Sequence, residues 1–591
     1  MKSLLTLNKY FYKYRWKLLA GLFFVAISVV FGILPAELVR ESFNIVENAI
    51  TAYKDDPNFD YTDLRNKLIL YGVIIIASSL LKGLFMFFMR QTIIVVSRHI
   101  EYDMKNAIFD QYQRLSLAFY KRNRTGDLMN RISEDVSRVR MYVGPAIMYT
   151  MNVSMNLILI IPIMFYWSPR LTLYVLAPLP LLAASIYYVS RKINIKSEQV
   201  QRQLSAISSF VQETFSGIRV LKAYVREEKS LQDFNEEANH YFNRNKELFR
   251  INALFFPLMI LLIGLSTILT VYIGGQETIA GTIKTGVIAQ FIIYVNMLTW
   301  PVASIGWVTS LVQRAAASQE RINEFLHVEP EIYNPSQEKL DFRGNIEFRD
   351  VSFTYPDTGI KALDHLNFKL EAGKSLAIVG RTGSGKSTVA NLIGRLYDAD
   401  EGEVLIDQQN IQKVNLDELR RNIGYVPQEA FLFSSNIGEN IAFGINNANQ
   451  EQIIEAAKNA HVHENIIDFP EGYKTKVGER GVTLSGGQKQ RVSIARAIIK
   501  APPLLIFDDC LSAVDTETEE AILTNLKKLI DQSTSLIISH RVSSVKNADH
   551  ILVLEEGRVI EEGNHDELMK VGGYYQQMYE QQLLEEGSTA S

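Results

Sequence analysis

The sequence predicts a membrane domain of six helices, all of it α, followed by a soluble α/β domain. Six apolar runs, each about as long as the 20 residues that a bilayer requires, occur before residue 328. They lie at 18–38, 68–96, 141–167, 171–190, 251–274 and 285–312. After residue 328 no run has that length, and short β-rich segments alternate with helical ones, as they do in α/β domains.

The composition excludes several classes of protein. The chain has 591 residues, of which 47% are hydrophobic and 21% charged, and this excludes a disordered or collagen-like protein. Its 61 Lys and Arg residues against 65 Asp and Glu give a formal net charge of −4, so we expect no nucleic-acid partner. A single cysteine, Cys510, excludes an intramolecular disulfide and a zinc site built from several cysteines.

The amino-terminal segment predicts an uncleaved first span. Its first 17 residues contain five basic side chains and no acidic one, and the apolar run 18–38 follows directly. A signal peptide would have a shorter apolar region that ends at small residues. We therefore expect a cytoplasmic amino terminus, and six spans return the chain to the cytoplasmic side.

Two long links between spans, 97–140 and 191–250, contain nine and eleven Lys and Arg residues. The positive-inside rule places both links in the cytoplasm. Apolar residues in the second link recur at helical spacing, so we expect membrane helices that extend well beyond the bilayer. Two separate soluble helical hairpins are the alternative. The whole pattern predicts a multi-pass protein of the cytoplasmic membrane with its soluble domain in the cytoplasm.

A glycine-rich loop follows a buried strand at 377–379 and precedes a helix that we predict to begin near Thr388. This order of strand, loop and helix is the context of a phosphate-binding loop. Backbone N–H groups and the helix start bind phosphate oxygens, Lys386 neutralises the β and γ phosphates, and the Ser387 hydroxyl suits Mg²⁺. The predicted phosphate-binding residues are Gly380, Arg381, Thr382, Gly383, Ser384, Gly385, Lys386, Ser387 and Thr388. The soluble part is thus predicted to be an α/β P-loop nucleotide-binding domain.

A second apolar strand, 504–508, ends in Asp508. A carboxylate at the carboxyl end of such a strand is where the metal-binding acid of a phosphate-loop site belongs. We therefore predict that Asp508 and Ser387 bind Mg²⁺.

Between these two segments lies Leu484-Ser485-Gly486-Gly487-Gln488. With this string the chain resembles the ATP-binding cassette transporters, of which it is the signature motif. Six spans ahead of one cassette are similar to an exporter-type half-transporter, and the resemblance covers nearly the whole chain. It implies four segments, which are a transmembrane domain at 1–327, a linker at 328–340, a cassette at 341–585 and a tail at 586–591.

The resemblance also implies that ATP is bound between two subunits. The signature precedes a helix, so it offers a second anion-binding helix start that the chain's own site cannot easily use. In the family, cassettes pair head to tail, and Ser485, Gly486, Gly487 and Gln488 of one chain would close over the γ-phosphate held by the other. A second half-transporter is therefore the expected partner.

Four further positions resemble family motifs. Tyr355 resembles the aromatic residue that stacks on adenine, and Asp515 resembles the loop that crosses the cassette interface. Gln428 resembles the glutamine that reaches Mg²⁺ and the attacking water. His540, at the end of another apolar strand, resembles the switch histidine that senses the γ-phosphate.

The residue after Asp508 departs from the family pattern, because Asp509 stands where a fully active member has glutamate as the base. Aspartate is one methylene shorter, and a displacement of about 1 Å can cost on the order of 100-fold in rate. We expect a site that binds ATP well and hydrolyses it slowly, unless a local backbone shift compensates. An altered base beside an intact signature favours a heterodimer with a competent partner site. A homodimer with two slow sites is the alternative, and the intact His540 is compatible with it.

Two segments of the cytoplasmic links, 125–129 and 213–219, resemble the family's coupling helices. In the second span Lys82 is an ionisable residue at membrane depth, where it is costly unless it faces a cavity or reaches the interface. One interpretation is that Lys82 lines a cavity for anionic or amphipathic substrates.

Together these features predict ATP-driven export, or leaflet flipping, of an amphipathic or hydrophobic molecule or lipid. An importer is disfavoured, because spans and cassette share one chain in exporter order. A homodimeric exporter with slow hydrolysis and an ATP-gated channel or regulatory membrane protein are the alternatives. The apolar faces of the spans do not identify the substrate.

Overall fold

The structure is a computed structural model that describes residues 2–55, 60–478, 481, 483–510, 522, 524–525, 533–542 and 544–589. The chain forms two compact units. The first consists of Met1–Gln111 and Gly126–Val328, and the second of Tyr112–Thr125 and Glu329–Ser591. Each unit has its own hydrophobic core.

In its described residues the first unit consists of helices joined by short turns and loops. Its helices, including one 3₁₀ and two π segments, are Lys2–Leu7 (3₁₀), Asn8–Lys13, Arg15–Asp55, Thr62–Arg114, Thr125–Asn130, Arg131–Asp135 (π), Val136–Met141, Tyr142–Ala146 (π), Ile147–Trp167, Pro169–Leu176, Pro178–Ser216, Ile218–Ala223, Glu227–Ala253, Phe255–Ile279 and Thr285–Leu326. In the described part of the chain, six helical stretches are long and apolar enough to cross a membrane, which confirms the six predicted spans.

The helical stretches are much longer than a bilayer requires. They contain 40 to 53 residues each, whereas about 20 suffice to cross the hydrocarbon core. The second span, Thr62–Arg114, continues as one helix into the first long link, and Pro178–Ser216 continues into the second. The alternative of two separate soluble hairpins is therefore wrong, and the spans extend into the cytoplasm as predicted.

The first and sixth spans approach closely where glycine replaces a side chain. A Cβ built on Gly286 would lie 2.2 Å from the Arg40 carbonyl oxygen, and the Gly286 N–H donates to Asn44 Oδ1 at 3.2 Å. The Lys82 side chain lies against Gly32 of the first span, with Nζ 3.0 Å from where a Cβ would stand. Lys82 is thus packed on a neighbouring helix, and its role at a substrate cavity stays a prediction.

The second unit contains ten described strands. They are β1 (Ile346–Thr354), β2 (Lys361–Leu370), β3 (Ser375–Val379), β4 (Glu401–Ile406), β5 (Gln409–Asn410), β6 (Ile423–Val426), β7 (Leu504–Asp508), β8 (Thr534–Ile538), β9 (His550–Glu555) and β10 (Arg558–Gly563). Its described helices are Leu117–Arg122, Lys386–Ile393, Leu416–Arg421, Ile437–Ala442, Gln450–Asn459, His463–Ile467, Gly472–Lys474 (3₁₀), Gly486–Ile498, His565–Val571 and Tyr574–Thr589.

The strands form two sheets. One is antiparallel in the order β2-β1-β4-β5, and the other has the order β10-β9-β3-β8-β7-β6. In the six-stranded sheet β9, β3, β8, β7 and β6 are parallel, and β10 pairs antiparallel with β9. Every residue of β3, β7 and β8 is buried, as expected for parallel strands covered on both faces. Because the strands are parallel, the segments that follow β3, β8, β7 and β6 meet at one edge.

A short helix of the first cytoplasmic link, Leu117–Arg122, belongs to the second unit. Its Ala118 is buried in that unit's core, and the Arg122 guanidinium bonds to the Glu331 carboxylate. The segment 125–129 lies in the helix Thr125–Asn130, and the 213–219 segment spans the end of one helix at Ser216 and the start of Ile218–Ala223. The helix Leu117–Arg122, which packs in the second unit, therefore lies just before the segment 125–129 that resembles a coupling helix.

Candidate nucleotide site

The phosphate loop joins β3 to the helix Lys386–Ile393, which begins two residues before the predicted start at Thr388. Gly385 precedes this helix with φ +98°, a conformation that side chains other than glycine rarely adopt. A Cβ on Gly385 would lie 2.3 Å from the Ala362 carbonyl oxygen, and one on Gly380 2.2 Å from that of Leu554. Both glycines are needed so that the loop can close against β2 and β9.

The Lys386 ammonium lies inside the loop. It donates to the carbonyl oxygens of Gly380 and Arg381, both at 2.8 Å, which leaves one N–H proton for a further acceptor such as a phosphate oxygen. Burial lowers the pKa of Lys386, and the nearby charges of Asp509 and Asp508 oppose that shift. The loop thus holds a buried cation that an incoming polyphosphate would stabilise.

The polar atoms of the loop fit a phosphate ligand. Ser384 Oγ is buried and has no hydrogen-bond partner among the residues that the structure describes, which is costly unless a ligand or water supplies one. Arg381, Thr382 and Gly383 are exposed at the tip of the loop. The backbone N–H of Thr388 bonds to the Gly385 carbonyl oxygen at 3.1 Å, so Thr388 completes the first helical turn.

Ser387 and Asp508 meet at the carboxyl edge of the parallel sheet. The Ser387 hydroxyl donates to Asp508 Oδ1 at 2.7 Å, and the Tyr425 hydroxyl donates to Asp508 Oδ2 at 3.3 Å. Burial raises the pKa of Asp508, while the two hydrogen bonds partly oppose that effect. Burial also raises the pKa of Tyr425, and the charge of Asp508 adds to the shift. The sequence did not predict this contact of Tyr425, because nothing in its own segment indicates a partner on β7.

The donor set fits Mg²⁺. Among the described residues no group of three or more His, Cys, Asp or Glu side chains is placed to hold a metal. A hydroxyl and a carboxylate side by side, Ser387 and Asp508, match the way Mg²⁺ is bound by one or two protein groups together with phosphates and waters. The described hydrogen bond of the Gln428 side chain goes to Asp509, so its role as a magnesium ligand stays a prediction.

Asp509 lies between Gln428 and His540. The Gln428 amide donates to Asp509 Oδ2 at 3.1 Å, and His540 Nδ1 lies 2.7 Å from Asp509 Oδ1. The Asp509 side chain is 12% exposed and that of His540 is 45% exposed. Asp509 has φ +47°, which places its backbone in the left-handed region that Asp tolerates better than most residues. The structure therefore brings together all three residues that the sequence assigned to catalysis.

Tyr355 lies beside the phosphate loop's helix. Its hydroxyl is 3.0 Å from Thr388 Oγ1, and its ring packs edge-on against Phe353 and Tyr397. The ring is half-buried, so part of it is accessible beside the loop. This position is compatible with stacking on a nucleotide base.

The signature segment begins the helix Gly486–Ile498 with a capping box. The Gln488 N–H donates to Ser485 Oγ at 3.2 Å, and the Ser485 N–H donates to Gln488 Oε1 at 3.0 Å. Ser485 and Gly486 are exposed, whereas Gly487 is half-buried. The helix start thus faces outward with its capping atoms paired to each other. Asp515, the other residue predicted at the cassette interface, lies outside the described residues.

Comparison with known families accounts for both units. The family profile described as "ABC transporter transmembrane region" matches residues 16–302, and the profile described as "ABC transporter" matches residues 363–512. The chain is similar to the uncharacterized ABC transporter ATP-binding protein YknU of Bacillus subtilis, with 34% identity over 98% of each chain.

Two further relatives and one solved structure are similar over most of their length. An ATP-dependent lipid A-core flippase of Syntrophus aciditrophicus is 34% identical over 95% of this chain and 92% of its own. The multidrug resistance-like ATP-binding protein MdlA of Escherichia coli is 36% identical over 83% of each chain. A bacterial Atm1-family ABC exporter solved with ATP bound matches with a TM-score of 0.78 and 26% identity, over 96% of this chain and 99% of that one.

Proposed function

Because this chain belongs to the ATP-binding cassette family, as an exporter half-transporter that spans the membrane and hydrolyses ATP in its cytoplasmic domain, we propose that its own ATP site is slow and is completed by a second half-transporter. The assembled dimer exports, or flips between leaflets, an amphipathic or hydrophobic molecule or lipid. The observation that carries the proposal is Asp509, held by Gln428 and His540 beside an intact loop that binds phosphate.

In this proposal the chain's residues divide the work of binding and hydrolysis. Lys386 and the backbone N–H groups of the loop hold the β and γ phosphates, and Ser384 Oγ gains the partner that it lacks. Ser387 and Asp508 hold Mg²⁺, which when bound neutralises the charge that develops on the phosphate oxygens. Asp509 accepts a proton from the attacking water, which His540 and Gln428 orient.

The slow rate follows from the reach of Asp509. Its carboxylate is one methylene shorter than that of glutamate, and both of its oxygens have partners on Gln428 and His540. A base that sits about 1 Å short of the attacking water loses on the order of 100-fold in rate. This site therefore binds ATP and retains it, while turnover depends on the partner's site.

Two features support a dimer in which the signature acts in trans. The helix start at Ser485 and Gly486 is exposed and offers N–H groups to an anion. Exposed aromatic rings form a surface on the cassette unit, where Phe431, Phe433 and Phe443 pack against one another. Large exposed apolar surfaces mark sites of association, so we propose that a partner half-transporter covers this surface. A heterodimer is favoured, and a homodimer is the alternative.

The class of substrate rests on the relatives and on the spans. One relative is named as a lipid A-core flippase, whose cargo is a lipid, and another is named as multidrug resistance-like. The spans of this chain are rich in apolar residues, so a passage among them suits molecules with large apolar surfaces. If Lys82 lines this passage, its side chain would add a positive charge there.

The composite site is tested by two substitutions in the assembled pair, and the neighbouring reading frames are the first place to search for the partner half-transporter. Lys386→Ala removes the cation of this chain's own slow pocket and should abolish tight nucleotide binding there. Ser485→Arg blocks the site completed in trans and should lower steady-state ATP turnover by on the order of tenfold or more.

A heterodimer predicts a much larger loss of turnover from Ser485→Arg than from Lys386→Ala. A homodimer would lose turnover equally from both substitutions. If both variants spare turnover in the pair, the composite site is wrong. An ATP-gated channel is separated from an exporter by transport into inside-out vesicles, since only an exporter accumulates an amphipathic dye against its gradient.

A further inference from the structure

The carboxyl-terminal helix, Tyr574–Thr589, contacts both loops of the nucleotide site. Its first residue packs near the phosphate loop, where the Arg381 guanidinium lies 5.5 Å from the centre of the Tyr574 ring. Eight residues later, Gln582 reaches the segment after β8 that contains His540. Because β3 and β8 are neighbours in the parallel sheet, one helix can cross both loops at the same edge.

The Gln582 side chain makes two hydrogen bonds to the backbone around His540. Its Oε1 accepts from the Val542 N–H at 2.8 Å, and its Nε2 donates to the His540 carbonyl oxygen at 2.7 Å. The amide therefore spans Arg541 and holds the backbone on both sides of it. A neutral amide is suited to this contact, since it supplies one donor and one acceptor in a fixed geometry.

The other side of the same segment is fixed by the sheet. The Ser539 N–H bonds to the Ile378 carbonyl oxygen of β3 at 3.1 Å, and the Arg541 N–H bonds to Ser539 Oγ at 2.9 Å. The His540 side chain extends from this segment to Asp509. Gln582 thus adds a contact from the carboxyl-terminal helix to a segment that the sheet and Ser539 also hold.

The position of Gln582 on its helix is unusual for a polar residue. Tyr575, Met578, Tyr579 and Gln582 recur at intervals of three and four residues, which places them on one face. Tyr575 is fully buried, and Met578 and Tyr579 pack against the same core. At its amino end the helix is anchored by the Tyr575 N–H, which donates to Glu561 Oε2 at 3.0 Å. An amide on this apolar face is explained by its two bonds to the switch segment.

We propose that Gln582 is a positioning residue for ATP hydrolysis, which holds the backbone of His540 so that its imidazole stays aligned with the base and the attacking water. The inference rests on the proposed role of His540. Without the two amide bonds, the backbone on both sides of Arg541 loses its contact with this helix, and the imidazole can move by the fraction of an ångström that lowers the rate.

The test uses the full-length chain assembled with its partner half-transporter, whose own phosphate loop is inactivated, in the Asp509→Glu background, where this chain's own site is expected to hydrolyse ATP measurably. Gln582→Met removes both hydrogen bonds but keeps the length and packing of the side chain. Gln582→Glu keeps the acceptor and, once ionised, lacks the donor. Gln581→Met is the matched control, because Gln581 is the neighbouring residue on the exposed side of the same helix.

We expect Gln582→Met to lower kcat by on the order of tenfold, Gln582→Glu to fall between it and the parent, and Gln581→Met to match the parent. The KM for ATP and the Tm should stay near the parent values for all three. A Gln582→Met variant with unchanged kcat would overturn the inference. So would one in which kcat, ATP affinity and Tm fall together, since that pattern indicates lost packing.

A double-mutant cycle with His540→Ala separates this inference from the proposed function. If Gln582 acts through His540, Gln582→Met has no further effect on single-turnover hydrolysis once His540 is Ala. Equal effects of Gln582→Met with and without His540 would contradict the inference alone. If His540→Ala itself leaves hydrolysis unchanged, the proposed role of His540 fails, and the inference fails with it.

Discussion

At the scale of single residues, the nucleotide site combines charges that the folded protein holds at a cost in the absence of ligand. Lys386 and Asp508 are both buried. Burial lowers the pKa of Lys386 and raises the pKa of Asp508, so it favours the neutral form of each side chain. Such shifts concentrate at functional sites, where a ligand later supplies the missing partner. ATP with Mg²⁺ would do so here, because it brings phosphate oxygens to Lys386 and a cation to Asp508.

The raised pKa of Asp508 predicts that Asp508→Asn stabilises the protein when no nucleotide is present. Above the raised pKa, the buried carboxylate disfavours the folded state, whereas below the ordinary value of 3.8 the carboxyl is neutral in both states. The Tm of Asp508→Asn should therefore exceed that of the wild type by a few degrees at pH 8, roughly the effect of 1 kcal/mol. The difference should shrink as the pH falls toward 4, as measured by thermal unfolding in detergent.

Asp549 provides a control for which the opposite change in Tm is expected, because its pKa is lowered and that of Asp508 is raised. Burial alone would raise its pKa, but hydrogen bonds from Ser375 and the charge of Lys374 outweigh burial and lower the pKa. Asp549→Asn should therefore lower the Tm at pH 8. A Tm for Asp508→Asn below the wild-type value at pH 8 would show that burial of this carboxylate does not strain the site.

At the scale of elements, close helix contacts in the membrane unit depend on particular glycines. Gly286 lies where a Cβ would meet the Arg40 carbonyl oxygen at 2.2 Å, while a Cβ on Gly264 would meet nothing within 4 Å. Overpacking of this kind costs about 1–3 kcal/mol, whereas Gly→Ala in an open helical position favours the helix. We expect Gly286→Ala to lower the Tm in detergent and Gly264→Ala to leave it unchanged or raise it. Equal Tm values for the two variants would contradict the close approach of the first and sixth spans.

Sequence patterns predicted the elements that are defined by length or by motif. The six spans follow from apolar length, and the meeting of Lys386, Asp508 and His540 follows from motifs at the ends of parallel strands. The separate antiparallel sheet of β1, β2, β4 and β5 was not predicted, because alternating hydrophobic residues indicate strands but not their pairing.

Residues that act through distant partners could not be predicted in this way. Tyr425 bonds to a carboxylate 83 positions later in the chain, and Gln582 bonds to a backbone N–H 40 positions earlier. Tyr425 lies three residues before Gln428, but nothing in that segment indicates a partner on β7, and Gln582 belongs to no local motif. Only the folded arrangement reveals the two contacts. The short helix Leu117–Arg122 was also missed, because its Ala118 is apolar like many exposed alanines and only packing identifies it as part of the core.

At the scale of the whole molecule, one chain carries both the nucleotide site, which we propose to be slow, and six spans that are longer than a bilayer requires. These helices of 40 to 53 residues are about twice as long as a bilayer requires. The short helix Leu117–Arg122 connects the second and third spans and is packed within the ATPase unit. Closure of the cassettes on ATP is therefore expected to move the ends of these two spans.

The slow rate assigned to Asp509 is tested by ATP turnover of the assembled pair, in which the partner's own phosphate loop is inactivated, before and after Asp509→Glu. The wild-type site should bind ATP but turn it over slowly, and Asp509→Glu should raise turnover by on the order of tenfold to 100-fold. Asp509→Asn should remain as slow as the wild type or slower. A wild-type site that already turns over ATP as fast as Asp509→Glu would contradict the slow rate assigned to Asp509.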